Sequence, residues 1–349
     1  MRLKKMTLEE LEELEQELHD QEQESDYSLY SRKIKVYEEI YNRLRKLGKE
    51  KKEDNSYLKY VTKKLVFNLI HYGTFLKMQY EKDDQTAIHC LKKALNYDSR
   101  NPSAAYRLGF LSYKHKDYES ALHYFQKAIE NQEYYDQKDY CLNEKQVVNA
   151  HLYLTNSALH IAKYTYEKII GLPYKSQQEL PNYEFSSLYQ SLTENEKYLE
   201  RHAFYKISQD ETTTCSKEEC EELITNVPLN TIVLYFNDRN IKLVYNENEV
   251  NISQNHGDML RYLLTKSSVD SPATRITLHN FFLDSHVKGV VNKDALIKAI
   301  SRLRNKLRSC EIPSIIQTTN YRGETAYYFD RTLPYIVMYR VDEEIEYLS

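Results

Sequence analysis

The most chemically loaded stretch of the chain runs from Lys288 to Arg308, where seven lysines and arginines stand against a single acid, Asp294. At about 100° per residue, Leu296, Ile300, Leu303 and Leu307 fall in one sector of a helix, and Lys298, Ser301, Arg302 and Asn305 fall opposite. The first set suits a core. The second offers ammonium, hydroxyl, guanidinium and amide groups, the types that hydrogen-bond phosphates and base edges. Lys293, Arg304 and Arg308 flank this face and are expected on the phosphate backbone at either side of a groove. Further on, Arg322 lies near the tip of an expected hairpin around Asn320–Gly323.

The remaining chemistry is sparse. No glycine-rich phosphate loop, G-x-S-x-G or H-E-x-x-H occurs, and the eleven histidines are scattered, so no enzyme activity and no cofactor are expected. Of five cysteines only Cys215 and Cys220 are near neighbours, which argues for free thiols and against both a disulfide framework and a metal site.

The elements that must carry these groups follow from composition and pattern. A chain of 349 residues with 41% hydrophobic content has the length for two domains. Seven glycines and seven prolines leave few tight turns and favour long helices. No run approaches the roughly 20 apolar residues of a membrane span, and the N-terminus lacks a signal-peptide core, so a cytoplasmic protein with no membrane partner is expected. The net charge of −4 hides an uneven distribution: residues 1–26 carry ten carboxylates against three basic residues, while 288–308 is strongly basic.

From about residue 7 to 206 the pattern is helical, opened by a capping box at Thr7 and Glu10 with Leu8, Leu11, Leu14 and Leu18 toward one side. Within it AIHCLKKALN, from Ala87, aligns with ALHYFQKAIE, from Ala121, at an offset of 34 residues. Ala87/Ala121, His89/His123, Lys93/Lys127 and Ala94/Ala128 are identical pairs, and Leu91/Phe125 stay apolar. This spacing resembles the tetratricopeptide repeat, with Leu108, Gly109, Ala121, Phe125 and Ala128 on that family's signature positions. The resemblance is clearest over 55–170, including an irregular third copy at 144–170.

It implies stacked helix pairs with a concave surface. Tyr72, Gln79 and Tyr80 of one copy, and Tyr106, Tyr113 and Lys114 of the next, would face that surface. Asn149, Tyr153 and Asn156 share one helical face of the third, where amides suit the backbone of a bound peptide. The alternative is that these side chains pack between helices.

Residues 207–230, rich in Thr, Ser and Glu, read as a linker. TIVLYF, IKLVY and EVNIS then read as three strands, followed by helices at GDMLRYLLTK and LHNFFLDS and the basic helix at 290–308. This order, closing with IIQTT, YRG and AYYF, resembles the OmpR/PhoB-type winged helix over 231–330, most specifically at Ile300-Ser301-Arg302-Leu303-Arg304. Asp294, Ala299 and Ala326 depart from that family's pattern. Residues 331–349 read as a tail.

The fold expected is mainly α: a tetratricopeptide-like array over 1–206, then an α+β winged helix-turn-helix domain. The resemblance implies double-stranded DNA in the major groove of the third helix, a peptide or protein ligand in the repeat groove, and a possible homodimer. The competing expectation is an adaptor whose winged helix binds protein.

Overall fold

The computed structural model describes residues 3–24, 29–50, 56–78, 84–136, 140–170, 187–237, 240–278 and 293–343. It is mostly helical, with a mixed sheet toward the C-terminus. The chain divides into two compact units. One comprises Met1–Asn68, Met78–Lys82 and Phe204–Arg340; the other comprises Leu69–Lys77, Asp83–Ala203 and Val341–Ser349.

In the first unit, α1 (Leu8–Glu24) and α2 (Tyr30–Glu50) pack together, and α3 (Ser56–Met78) begins. The capping box forms as expected: Thr7 N–H donates to Glu10 Oε2 at 2.6 Å and Glu10 N–H to Thr7 Oγ1 at 3.2 Å. Leu11 and Leu18 are buried, with Leu8 and Leu14 half-buried beside them. Helix α2 answers with Tyr30, Ile34, Tyr37 and Ile40, spaced for one face.

The second unit takes the end of α3, then α4 (Asp84–Tyr97), α5 (Pro102–Lys114), α6 (Tyr118–Gln132), α7 (Glu144–Ile170) and α8 (Ser187–Arg201). Asn101 caps α5 by accepting from Ala104 N–H, with Pro102 at the first helical position, and Asp117 caps α6 by accepting from Ser120 N–H. The 34-residue offset becomes packing here. Ala87, Ala94, Ala121 and Ala128 are all completely buried. A Cβ on Gly109 would sit 2.9 Å from the Phe125 ring, and one on Gly73 would sit 3.2 Å from Leu91 Cγ. Each aligned large residue therefore lies against a glycine of the preceding helix, a fit in which the missing side chain sets the approach.

The rest of the first unit holds β1 (Phe204–Ser208), β2 (Thr212–Cys215), α9 (Lys217–Thr225), β3 (Ile232–Phe236), β4 (Ile241–Tyr245), β5 (Asn248–Ile252), α10 (Gln254–Lys266), α11 (Lys293–Ser309), β6 (Ile316–Tyr321), β7 (Glu324–Phe329) and β8 (Tyr335–Arg340). The three strands expected between 231 and 253 form. They belong, however, to a six-stranded sheet of order β2-β1-β8-β3-β4-β5.

Two boundaries change as a result. Residues 207–230 are not a bare linker, because β1 and β2 pair in register Phe204↔Cys215 and Ser216 with Glu219 forms a full capping box on α9. The Thr-rich run TTTC was read for polarity, yet β-branched side chains favour strands. Nor is 331–340 a tail: β8 lies inside the sheet, antiparallel to β1 and parallel to β3, with Leu234 opposite Val337. Its continuous run YIVMY is the pattern of a strand buried on both faces.

The core of this part gathers Ile232, Leu234, Phe236, Ile241 and Leu243 from the sheet. Met259, Leu260, Leu263 and Leu264 come from α10, and Leu296, Ile300, Leu303 and Leu307 from α11.

Candidate functional site

Helix α11 divides along its axis as its periodicity requires. Leu296, Ile300, Leu303 and Leu307 are at most 2% exposed, whereas Asp294, Ile297, Lys298, Ser301, Asn305 and Arg308 face outward and Arg302 is half-buried. Arg308 Nη1 donates to Asn305 Oδ1 at 3.3 Å, linking two members of the outer face. Lys293 is the first residue of the helix. The preceding expected helix, LHNFFLDS, lies outside the described residues from His279 onward, as does Lys288.

Arg304 takes a different direction from its neighbours. Its Nη2 donates to Ile316 O and to Thr318 Oγ1, both at 2.8 Å, and its guanidinium lies 5.7 Å from the centre of the Tyr327 ring. A side chain expected on phosphate instead fastens α11 to the β6–β7 hairpin. The hairpin turns on two residues, Arg322 at φ 52° and Gly323 at φ 83°, with Tyr321 opposite Glu324. Positive φ at both central positions is the geometry that matches strand twist, and the glycine supplies its half without strain. Asn320 Oδ1 accepts from Gly323 N–H at 3.1 Å and completes the turn.

Arg322 is thus exposed at the tip, its guanidinium 5.2 Å from the Tyr321 ring centre. Arg275 grips the end of the hairpin through Glu324, holding that carboxyl below the usual carboxylate range. Backbone bonds between Ala273 and Tyr327, at 2.7 and 2.9 Å, fix β7 from its other side. Arg304 thus joins α11 to the open half of the hairpin, at Ile316, Thr318 and Tyr327.

In the helical unit the expected ligand-facing residues are brought together but lie deep. Tyr106, Asn149, Tyr153 and Asn156 are buried, and Tyr72 and Tyr113 are half-buried. Gln79 and Tyr80 lie outside the described residues. Lys114 Nζ pairs with Asp84 Oδ2 at 2.6 Å. The expectation of an open groove lined by these side chains is corrected, because segments of the same unit cover them. Tyr106 hydroxyl donates to Asp342 Oδ1 at 2.5 Å, and Gln146 Nε2 donates to Val341 O at 2.9 Å.

Asn195 of α8 donates to Asn156 Oδ1 at 3.0 Å, and Tyr113 hydroxyl donates to Glu196 Oε1 at 3.1 Å. His160 Nε2 lies 3.0 Å from the same Glu196 oxygen and stacks on Tyr118 at 4.1 Å between ring centres. Burial, reinforced by the Glu196 carboxylate, pushes the Tyr113 hydroxyl above the ordinary tyrosine range. His160, Tyr118 and Glu196 were not singled out from the sequence. His160 was within reach of that reasoning, being one turn beyond Asn156 on the same face; Glu196 depends on how α8 folds back.

The cysteines are all free, with Cys215 and Cys220 sulfurs 3.4 Å apart. Among the described residues no group of three or more His, Cys, Asp or Glu could hold a metal ion, and no helix is long and apolar enough to cross a membrane. No protein-family model, no curated protein and no solved structure matches the chain.

Proposed function

We propose that this protein is a DNA-binding transcription regulator, with residues 231–330 acting as a winged helix and the helices of the other unit as a tetratricopeptide-like array that takes a peptide or protein ligand. The observation that carries this reading is the pairing of α11 with the hairpin. The outer face of α11 presents Lys298, Ser301 and Asn305 with the half-buried Arg302, while Arg304 fastens α11 to β6 of the hairpin whose tip carries Arg322. A helix of about 12 Å diameter fits the major groove, and a basic hairpin tip then meets adjacent backbone. The contacts Gly109/Phe125 and Gly73/Leu91 support the repeat reading, since Leu91 and Phe125 are the aligned pair 34 residues apart and each packs on a glycine of the preceding helix.

A second reading keeps the fold and changes the partner. Ile297, 41% exposed, and Asp294 share the outer surface of α11 with Lys298, and an exposed isoleucine beside a carboxylate suits a protein surface better than phosphate. On that reading the protein is an adaptor without enzymatic activity.

Salt separates the two. A DNA binder that neutralises several phosphates loses affinity linearly in log–log form, by roughly 0.9 per contacted phosphate. Fluorescence anisotropy with duplex DNA from about 50 to 200 mM salt, joined to genome-wide capture of bound fragments, reads this directly. Absence of retention at low salt overturns the first reading.

A further inference from the structure

Strand β2 and helix α9 meet at two cysteines. Cys215 ends β2 and Cys220 is the fourth residue of α9; both side chains are buried, and their sulfurs are 3.4 Å apart. The backbone between them is fixed by the capping box, in which Ser216 N–H donates to Glu219 Oε2 at 2.7 Å and Glu219 N–H donates to Ser216 Oγ at 3.2 Å. A set turn therefore presents the two thiols to each other. Closing the gap to the disulfide length of about 2.0 Å is a displacement that side-chain rotation can supply.

The surroundings of the two sulfurs differ. Cys215 stands opposite Phe204 of β1, and Lys206, opposite Thr213, shares that face of the sheet. A hydrogen bond from the Cys220 thiol holds Cys215 below the ordinary thiol range, with Lys206 assisting against burial and Glu219. The same hydrogen bond, with burial, pushes Cys220 up. Cys215 is thus the nucleophile of the pair and Cys220 its proton-bearing neighbour. Cys310 provides the contrast within the same unit. Its thiol donates to the backbone oxygens of Leu243 and Asn248, and burial pushes it up to about 11.

The pair lies where local opening costs little. Strand β2 ends the sheet order, with Thr212 and Thr213 exposed, and of α9 only Cys220 is buried, Leu223 and Ile224 being half-buried. Short elements with so few buried anchors open locally and admit a small reagent.

We propose that Cys215 and Cys220 form a redox-sensitive modification site that closes to a disulfide when a small hydroperoxide oxidises Cys215. The Cys215 thiolate attacks one peroxide oxygen and breaks the O–O bond; the leaving oxygen takes up the proton that Cys215 shed and departs as an alcohol, or as water from hydrogen peroxide. Cys215 is left as a sulfenic acid. Cys220 then gives up its proton and attacks that sulfur, the S–O bond breaks, and water leaves. The two thiols lose two electrons and the hydroperoxide gains them. The product ties α9 to the edge of the sheet by a covalent bond in place of a weak sulfur contact, whatever partner α11 binds.

The test uses the full-length protein, first reduced and then treated with hydrogen peroxide. Remaining thiols are blocked with iodoacetamide under denaturation, and the protein is digested with trypsin. Trypsin cuts after Lys217, between the two cysteines, so a disulfide appears as two joined peptides. The expected result is a Cys215–Cys220 cross-link that dithiothreitol reverses, with Cys310 still alkylated. In a Cys220→Ser protein the hydroxyl keeps a donor beside Cys215. Dimedone should then label Cys215 at least about tenfold faster than it labels Cys220 in a Cys215→Ser protein. Separate alkylation of both cysteines after peroxide, cross-links to other cysteines in place of this one, or equal dimedone labelling of the two variants overturns the proposal.

Discussion

Tyr106 donates its hydroxyl hydrogen to Asp342 across 236 residues of chain, with both side chains buried. The carboxylate belongs to a short 3-10 turn, 341–343, that Gln146 also grips through Val341 O. Tyr106→Phe removes the donor and leaves the buried acceptor in place, which should cost about 2 kcal/mol in urea unfolding. Asp342→Asn should cost less, because a neutral amide is cheaper to leave buried. Equal stability of Tyr106→Phe and wild type would mean that the carboxylate finds water or another donor.

Arg304 offers a sharper choice between two roles. As the link from α11 to Ile316 O and Thr318 Oγ1, its replacement by alanine should destabilise the protein by about 2 kcal/mol. Amide protection should fall across Ile316–Phe329. Arg304→Lys should rescue little, since a single ammonium cannot reproduce the planar fork. Loss of DNA affinity with unchanged stability and unchanged protection would place Arg304 on phosphate instead.

Among the described residues Lys298, exposed, and Arg302, half-buried, make no hydrogen bond or ion pair of that kind, so their effect should appear in binding. Each alanine variant should keep its melting temperature. Each should also reduce the slope of log affinity against log salt by about 1. An Arg302→Ala protein that binds DNA with the wild-type slope would favour the adaptor reading.

How far the sequence reached is clearest in α11. Its buried residues were legible because a 3.6-residue period reports directly which side meets a core, and Leu296, Ile300, Leu303 and Leu307 all lie there. The same periodicity says nothing about where a long side chain bends, so Arg304 read as a phosphate contact although its partners are in β6. Strand β8 was missed for a related reason. Its pairing with β1 and β3 is non-local, and a short apolar run near the C-terminus carries no sign of its neighbours. In the helical unit the pattern placed Asn149, Tyr153 and Asn156 on one face correctly. That Asn195 and Glu196 lie over this face depends on the path of α8, which no local spacing encodes.

Gly109 tests whether the repeat-like packing is close enough to exclude a methyl group. Helix propensity alone favours Ala over Gly by about 1 kcal/mol. Against this, the new Cβ would meet three atoms of the Phe125 ring at 2.9–3.0 Å, and overpacking of that kind costs about 1–3 kcal/mol. Gly109→Ala should therefore destabilise the wild type. In a Phe125→Leu background the ring is gone, and the same change should become neutral or favourable. A double-mutant cycle by urea unfolding measures the coupling, and additive effects would show that α5 and α6 have room to part.

His71 makes stability depend on pH in a direction fixed by its surroundings. Burial, with Arg107 adding to it, lowers its pKa well below the ordinary 6.5. The folded protein therefore keeps the ring neutral at a pH where the unfolded chain already binds a proton. Because the unfolded state binds more protons below 6.5, stability falls as pH drops through that value and continues to fall until the folded-state pKa is reached. Within that window the loss approaches about 1.4 kcal/mol per pH unit from this one group. His71→Gln keeps a polar side chain but cannot titrate, so unfolding free energies measured from pH ~7.5 to ~5 should fall less steeply in the variant than in the wild type. The difference between the two curves isolates His71, since every other group titrates in both. Parallel curves would mean that the ring already takes up its proton in the folded protein.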